Sequence, residues 1–186
     1  MADAAPKPAM KIIRWLCVIV VVVVATGTFA GARGCERARV TRELKEGEKV
    51  PVVVAGRTFM LEPVLDEKSR TRGLGGRASI EPDGGMLFVF PYAGRLEFVM
   101  RDCLTDIDIA FLDDAGRVLT MYTMNVEPPM APGESATAYE FRLKKYPSRF
   151  PTALVAEFAG GTLEKLGVKP GDRFEIDLPP LKARAK

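Results

Sequence analysis

The sequence has no histidine among its 186 residues. Because a Ser-His-Asp or Cys-His catalytic group, a histidine-ligated zinc or iron site and a histidine-based pH switch all need an imidazole, each of these is excluded. Cysteine is scarce too: Cys17, Cys35 and Cys103 are the three present, and no Cys-x-x-Cys motif occurs. A zinc knuckle and a thioredoxin-like redox pair are therefore excluded as well. A disulfide between Cys35 and Cys103 is open, although nothing in the spacing favours it.

Most of the chain also lacks a surplus of positive charge, although the formal net charge is +3. Residues 1–50 hold nine Lys and Arg against five Asp and Glu, whereas residues 51–186 hold 18 against 19. The longer part therefore has no cationic surplus for non-specific binding to phosphate groups. We expect no nucleic-acid partner, and we predict neither a metal ion nor a cofactor.

The longest apolar run lies near the N-terminus, over residues 15–32, after a polar stretch at residues 1–14. A transmembrane helix needs ~17–25 such residues, and a basic stretch before an apolar run is typical of export in a bacterial cell. We expect an uncleaved anchor, with residues 1–14 in the cytoplasm and the domain outside it. The arginines directly after the run weaken the argument for this orientation. Two alternatives stay open: secretion after cleavage behind Ala32, and a lipid anchor at Cys35.

The rest of the chain divides by composition into a linker, a domain and a tail. Residues 33–49 are highly charged and predict a solvated linker. Residues 50–178 alternate short apolar runs with turn signals every ~8–12 residues, which predicts a mainly β domain, either an antiparallel barrel or a sandwich. Residues 179–186 form a basic tail that we expect to be frayed.

The domain contains signals for individual elements. Strands are predicted at residues 50–55, 58–65, 86–90, 95–101, 106–112, 117–124, 152–158 and 173–178. Pro63 indicates an edge strand or a bulge. A short helix is expected over Glu67–Arg72, with Asp66 as its N-cap and Gly73 at its end. A second is expected over Leu163–Leu166, capped by Thr162. Residues 125–137 predict an exposed loop.

The sharpest chemical lead is the acidic group formed by Asp102, Asp106 and Asp108. Asp106 and Asp108 share one face of a predicted strand, ~7 Å apart. Two such carboxylates suit the acid and base of glycoside hydrolysis, or a Ca²⁺ site. A solvated strand face is the simpler explanation for Asp106, and an ion pair with Arg70 or Arg101 is the simpler one for Asp108.

Three further leads each have a simpler structural explanation. Cys103 beside Arg101 could be a reactive thiolate, but a small residue packed in a turn is the commoner role. Met100 and other methionines could line an adaptable binding surface, yet methionines more often fill cores. The glycines of residues 73–76 could cradle an anion with the help of Arg70, Arg72 and Arg77. That segment lacks the Lys-Ser/Thr of a phosphate loop, so a flexible turn is the default.

The order of several motifs resembles one known family. Arg70-x-x-Gly73-Leu74 is followed by GGMLFVF, EFVM, DIDIAF, DDAGRV and AEFAGGTLEKLGVKPGD. Over roughly residues 58–176 this order resembles the domain-of-unknown-function family number 192, small exported or membrane-tethered proteins of bacteria and archaea. The resemblance implies a compact, mostly β, barrel-like domain, and it brings no established activity, substrate or cofactor. The matching positions are Arg70, Gly73, Leu74, Gly85, Met86, Leu87, Phe88, Phe90, Phe98, Met100, Asp108, Phe111, Gly116, Glu157, Gly161, Gly167, Gly171 and Asp172.

The chain also departs from the pattern of that family. Gly75 stands where the family has Met, Val99 where it has Trp, and Asp106 where it has Pro. Residues 102–103, Asp-Cys, replace an Asn-Thr pair, and residues 125–151 look like an enlarged loop. If the family shares a ligand site lined by the Trp and the Asn-Thr pair, that site is altered in this chain.

These observations favour a membrane-anchored β domain outside the cytoplasm that binds a small molecule, an envelope component or a protein. The candidate binding residues are Arg70, Met100, Asp102, Asp106 and Asp108. The alternative is a hydrolase or lyase of envelope glycans that uses the three aspartates with Arg70. A purely structural role is the third possibility.

Overall fold

The computed structural model describes residue 45 and residues 47–186, so the predicted anchor at 15–32 and most of the predicted linker lie outside the described residues. The strands are β1 (Val50–Val54), β2 (Arg57–Val64), β3 (Met86–Gly94), β4 (Glu97–Phe98), β5 (Ile107–Leu112), β6 (Val118–Met124), β7 (Tyr146–Pro147), β8 (Thr152–Ala159) and β9 (Glu175–Ile176). The helices are α1 (Glu67–Arg72), α2 (Ala136–Arg142), α3 (Thr162–Lys165) and α4 (Pro179–Lys182). Within these described residues, no helix is long and apolar enough to cross a membrane.

Seven of the strands form one curled, half-barrel sheet. Its order is β6-β5-β8-β3-β2-β1-β9, and β4 pairs with β7 in a separate ladder. The prediction of a mainly β domain is confirmed, but an all-antiparallel sheet is wrong, because β2 and β3 run parallel with Glu62 opposite Met86. The connection over residues 65–85, which includes α1, is long enough for the crossover that parallel neighbours need.

The two edges of the sheet approach each other beside the β5–β6 hairpin. Val118 donates its backbone N–H to the carbonyl of Asp172 at 2.8 Å and accepts one from Gly171 at 2.8 Å. Phe174 donates to the carbonyl of Gly116, also at 2.8 Å. These bonds satisfy backbone groups on the outer side of β6 that an open edge would leave to solvent.

Both faces of the sheet are buried. The first core includes Val52, Phe59, Leu61, Ala110, Leu112, Phe158, Leu163 and Phe174. The second core includes Leu74, Phe88, Met100, Cys103, Ile107, Ile109, Phe111 and Val155. Every residue of β5 is buried, so the alternation at residues 106–112 separates two buried faces. The carboxylate of Asp108 therefore lies inside the protein.

Close backbone packing at the start of β3 explains Gly85. A Cβ atom there would lie 2.0 Å from the carbonyl oxygen of Glu157, and the φ angle of +141° disfavours any side chain. Gly85 accepts a hydrogen bond from the N–H of Glu62, the residue before Pro63. Successive N–H groups of a strand point to opposite sides, so the nitrogen of Pro63 faces the side of β1. Because β1 pairing ends at the Val50–Leu61 pair, the interior position of Pro63 leaves no ladder bond unmade.

Local expectations held for some elements and failed for others. Helix α1 has the predicted bounds, and Asp66 caps it by accepting the N–H of Ser69. The strand expected at residues 95–101 is wrong, since only Glu97–Phe98 pairs. The frayed tail is also wrong: residues 179–182 form α4, which buries Leu181. The predicted loop at residues 125–137 ends in α2, whose N-cap is Ser135. The sequence of α2 has no apolar periodicity strong enough to predict a helix there.

Candidate functional site

A cavity of about 360 Å³ opens beside the second core, and it is called the Glu157 cavity from here on. Its lining comes from residues 70–75 at the end of α1, from residues 96–103, and from positions of β3, β5 and β8 that face the second core. Phe88 and Phe98 form part of its wall, with their rings edge to face at 5.2 Å between centroids. The volume lies within the range of about 300–1,000 Å³ that is typical of small-molecule sites.

The carboxyl group of Glu157 is the most unusual feature of this cavity. Glu157 lies on β8 between Met86 of β3 and Ile109 of β5, and only 4% of it is exposed. Its Oε2 atom has no hydrogen-bond partner among the described residues. Burial raises the pKa of this carboxyl group from an ordinary value of 4.5 to about 8, because a charge is poorly solvated there. At neutral pH the group is therefore mostly protonated, and it can donate a hydrogen bond into the cavity.

Cys103 lines the same cavity and is also buried. Burial, followed by the negative charges of Glu157 and Asp102, raises the pKa of its thiol to about 11. The Arg101 charge opposes this shift, but less strongly. Because the thiolate is the nucleophilic form, the structure does not support the reactive-thiolate hypothesis. The Sγ atom instead lies 3.5 Å from the carbonyl oxygen of Arg101, as a weak donor.

Three arginines lie around the mouth of the cavity, and two of them are already engaged. Arg70 donates to the carbonyl of Val89 at 3.1 Å and to the main-chain oxygen of Lys186. Arg101 forms a two-bond ion pair with Glu140 on α2. Arg72 is exposed, and no hydrogen bond or ion pair holds its guanidinium group within residues 47–186. Arg72 is therefore available to a ligand at the mouth.

Helix α2 supports the wall of the cavity from outside. The Tyr139 hydroxyl accepts the N–H of Asp102 at 3.1 Å and lies 3.2 Å from the Asp102 carboxylate, to which it donates. On the other side of this wall, Gly76 donates its N–H to the carbonyl of Asp102 at 2.8 Å. A Cβ atom on Gly75 would lie 3.3 Å from the carbonyl oxygen of Arg101. The backbones of residues 70–75 and 96–103, which both line the cavity, therefore pack directly against each other. The segment at residues 125–151, which contains α2 and β7, thus supports one wall of the cavity.

The residues predicted as a site are not brought together. Arg70 lines the cavity, Met100 is fully buried in the second core, and Asp102 lies on the turn behind the wall. Asp106 is exposed and accepts the N–H of Val126 at 2.7 Å, so it holds the chain that leaves β6.

Asp108 faces the first core, on the side of the sheet away from the Glu157 cavity. It accepts the hydroxyl of Thr123 at 2.8 Å and the N–H of Leu163 at 2.7 Å. Neither Arg70 nor Arg101 contacts it, so the ion pair expected for Asp108 is not formed. This bond to Leu163 satisfies one of the free backbone N–H groups in the first turn of α3. The N-cap residue of α3 is Gly161 and not the predicted Thr162.

Sequence reasoning did not select Glu157 as a site residue, although it matched the family at that position. A signal was present: Glu157 is the one charged residue in the apolar strand TALVAEF. A carboxyl group in such a run is seldom fully buried without a partner, so it marks a special environment. In the described part of the chain, no three Cys, Asp or Glu side chains are grouped so that they could hold a metal ion.

Comparison with known proteins identifies the family. A family model described as "Uncharacterized ACR, COG1430" matches residues 50–176. The chain belongs to the DUF192 family. The match runs from the first residue of β1 to the last residue of β9, so it covers the whole sheet and the Glu157 cavity of this DUF192 domain. No curated protein matches the chain.

Two crystal structures resemble this DUF192 domain. One is a protein of Sinorhizobium meliloti 1021 described as a "putative transcription regulator", with 32% identity, a TM-score of 0.55, and coverage of 69% of this chain and 92% of that one. The other is a protein of unknown function from Novosphingobium aromaticivorans DSM 12444, with 27% identity, a TM-score of 0.56, and coverage of 68% and 84%. Neither description states a ligand.

Proposed function

We propose that this DUF192 domain is a small-molecule-binding module whose binding site is the Glu157 cavity. The observation that carries the proposal is the buried Oε2 atom of Glu157, which lacks a partner in the described part of the chain. An unmet hydrogen bond on a buried polar group costs about 1–3 kcal/mol. A ligand that supplies the missing partner would recover that free energy.

The arrangement favours binding over catalysis. The hydrolase alternative needs two carboxylates that face one substrate, but Asp106 and Asp108 are each engaged in holding the fold, and neither lines the Glu157 cavity. The protonated thiol of Cys103 is a poor nucleophile. The cavity holds a neutral hydrogen-bond donor at Glu157, apolar walls, and arginines with the exposed Glu97 carboxylate at the mouth, which are the parts of a binding site.

The proposal includes a location. The apolar run at residues 15–32 supports a membrane anchor that holds the domain outside the cytoplasm, where an envelope component could be the ligand or partner. Cleavage and lipid attachment at Cys35 remain the alternatives for this segment. The relative described as a regulator does not extend the proposal to nucleic acid, because residues 51–186 have no cationic surplus.

The test is a fragment screen by ligand-observed NMR on the full chain, with two matched variants. Leu96 is half-buried in the wall of the cavity, so Leu96→Trp places a large side chain where a ligand would lie. Leu104→Trp makes the same change at an exposed position outside the lining. We expect fragments that bind the parent and Leu104→Trp but not Leu96→Trp. A screen with no such fragment would contradict the proposed function.

A further inference from the structure

The geometry points to an amphipathic organic acid as the ligand of the Glu157 cavity, with an uncharged acceptor oxygen at its inner end and its acid group at the mouth. This inference rests on the proposed function and adds the chemistry and orientation of the ligand. It follows from three parts of the cavity taken in turn: the floor, the walls and the mouth.

The floor selects an acceptor. Glu157 is nearly sealed from solvent, and its neutral form carries one O–H donor for which the described residues supply no acceptor, so a ligand oxygen that accepts this hydrogen bond would satisfy it. A carbonyl, ether or hydroxyl oxygen meets this need without bringing a charge into an apolar site. An anion at the floor would lose its hydration among apolar side chains, which is far more costly than placing a neutral oxygen there.

The walls select an apolar body. Phe88, Phe90 and Phe98 line the cavity with Leu74 and Leu96, and these apolar side chains share the lining with the arginines, Thr71 and two carboxyl groups. The buried Phe88 ring packs edge to face against Phe98, whose half-buried ring leaves surface for a flat group to pack against. A planar or branched hydrocarbon core therefore fits between the floor and the mouth.

The mouth selects an acid. The Arg101 charge is neutralised by Glu140, and the Arg70 guanidinium is held by main-chain oxygens and lies 4.9 Å from the ring of Phe90. Arg72 has no such hydrogen-bond or ion-pair partner within residues 47–186, and its charge, after those of Arg77 and Lys49, adds to the lowering of the Glu62 pKa. Against these cations stands one exposed carboxylate of the lining, Glu97, so the mouth keeps a positive excess. A negative group on the ligand is attracted there, and an ammonium group is repelled.

The experiment compares four probes of one shape by NMR titration of the full chain. The probes are para-acetylbenzoate, para-isopropylbenzoate, para-acetylbenzamide and para-acetylbenzylamine. The first has both the acceptor and the acid, the second lacks the acceptor, the third lacks the charge, and the fourth reverses it. We expect para-acetylbenzoate to bind tightest, by at least about five-fold over the isopropyl analogue, since the isopropyl group cannot accept the hydrogen bond of Glu157.

Variants assign each end of the probe. Glu157→Met removes the donor and is expected to abolish the preference for acetyl over isopropyl. Glu157→Gln keeps an N–H donor at the same place and is expected to retain the preference. Arg72→Gln is expected to weaken para-acetylbenzoate about three-fold and to leave para-acetylbenzamide unchanged, because an exposed ion pair contributes little. Arg173→Gln, which lies outside the lining, is the matched control and should change neither probe.

The outcomes separate the inference from the proposed function. Tighter binding of para-acetylbenzylamine that Glu157→Gln abolishes would overturn the inference, since Glu157 would then act as an anion, while the binding module would stand. Cavity-specific hits in the fragment screen with no binding of para-acetylbenzoate would also overturn the inference alone. An empty fragment screen would overturn both.

Discussion

Glu157→Gln is expected to remove a pH-dependent loss of stability that the parent chain has. The folded-state pKa of Glu157 is raised to about 8, against an ordinary value of 4.5 in the unfolded chain. Between these values the folded state binds more protons than the unfolded state, so the free energy of unfolding falls as pH rises. The stability linked to this group is fully present below pH 4.5 and is lost as pH rises through about 8. Glutamine is always neutral and carries no such dependence.

The size of the effect follows from the two pKa values. Each pKa unit corresponds to about 1.4 kcal/mol, so the interval from 4.5 to about 8 amounts to about 5 kcal/mol of unfolding free energy. Between about pH 5 and about pH 9, the parent should lose about 4 kcal/mol relative to Glu157→Gln. The Cys103 thiol titrates above this window, with a pKa of about 11.

Urea denaturation of both full-length proteins at a series of pH values measures this difference. With a slope of about 2 kcal/mol per molar urea, the two midpoints should move apart by about 2 M over the window. Subtracting the unfolding free energy of Glu157→Gln from that of the parent at each pH removes the pH dependence that both proteins share through their other carboxylates. Glu97→Gln makes the same substitution at an exposed position of the same cavity and is the matched control. A difference between parent and Glu157→Gln that stays constant or grows in favour of the parent with pH would refute the reasoning.

Three further predictions test the scaffold around the cavity. Gly85→Ala brings a Cβ atom to 2.0 Å from a β8 carbonyl, so we expect a loss of at least about 3 kcal/mol in thermal unfolding. Asp108→Ala leaves two donors unpaired, one of them a buried backbone N–H, and is expected to destabilise the domain by about 2–4 kcal/mol in urea. Cys103 should resist iodoacetamide at pH 8 until the protein unfolds, as peptide mapping by mass spectrometry would show, because its pKa is about 11.

Each of these has a control or a contrary result. Gly94→Ala adds a Cβ atom that has nothing within 4 Å, so its melting temperature should equal that of the parent. Asp108→Asn keeps an acceptor oxygen, so it should lie between the parent and Asp108→Ala; equal stability of all three proteins would show that Asp108 does not hold the fold. Labelling of Cys103 at the rate of a free thiol would contradict the buried, protonated state.

Prediction from sequence succeeded where the interactions are local. The N-cap of α1 depends on Asp66 and Ser69, three residues apart, and the turn at residues 113–116 depends on Asp113 accepting nearby N–H groups. The buried strand at the start of β3 was also predicted, because its continuous apolar run is visible within a few neighbouring residues. The strand predicted over residues 95–101 was too long, because an alternating pattern shows which side chains are buried and not whether a neighbouring strand pairs with them.

The sequence by itself therefore determined the absence of histidine chemistry, the mainly β class, the family resemblance and the positions of the main turns. Only the tertiary structure decided which carboxylates matter and how. Asp108 meets Leu163 across 55 positions in sequence, and Glu157 faces a cavity because β8 lies between β3 and β5 while residues 96–103 cover that face. Such contacts depend on strand order and layering, so the sequence can mark Glu157 as an unusual residue in an apolar strand, but it does not show what either carboxyl group faces.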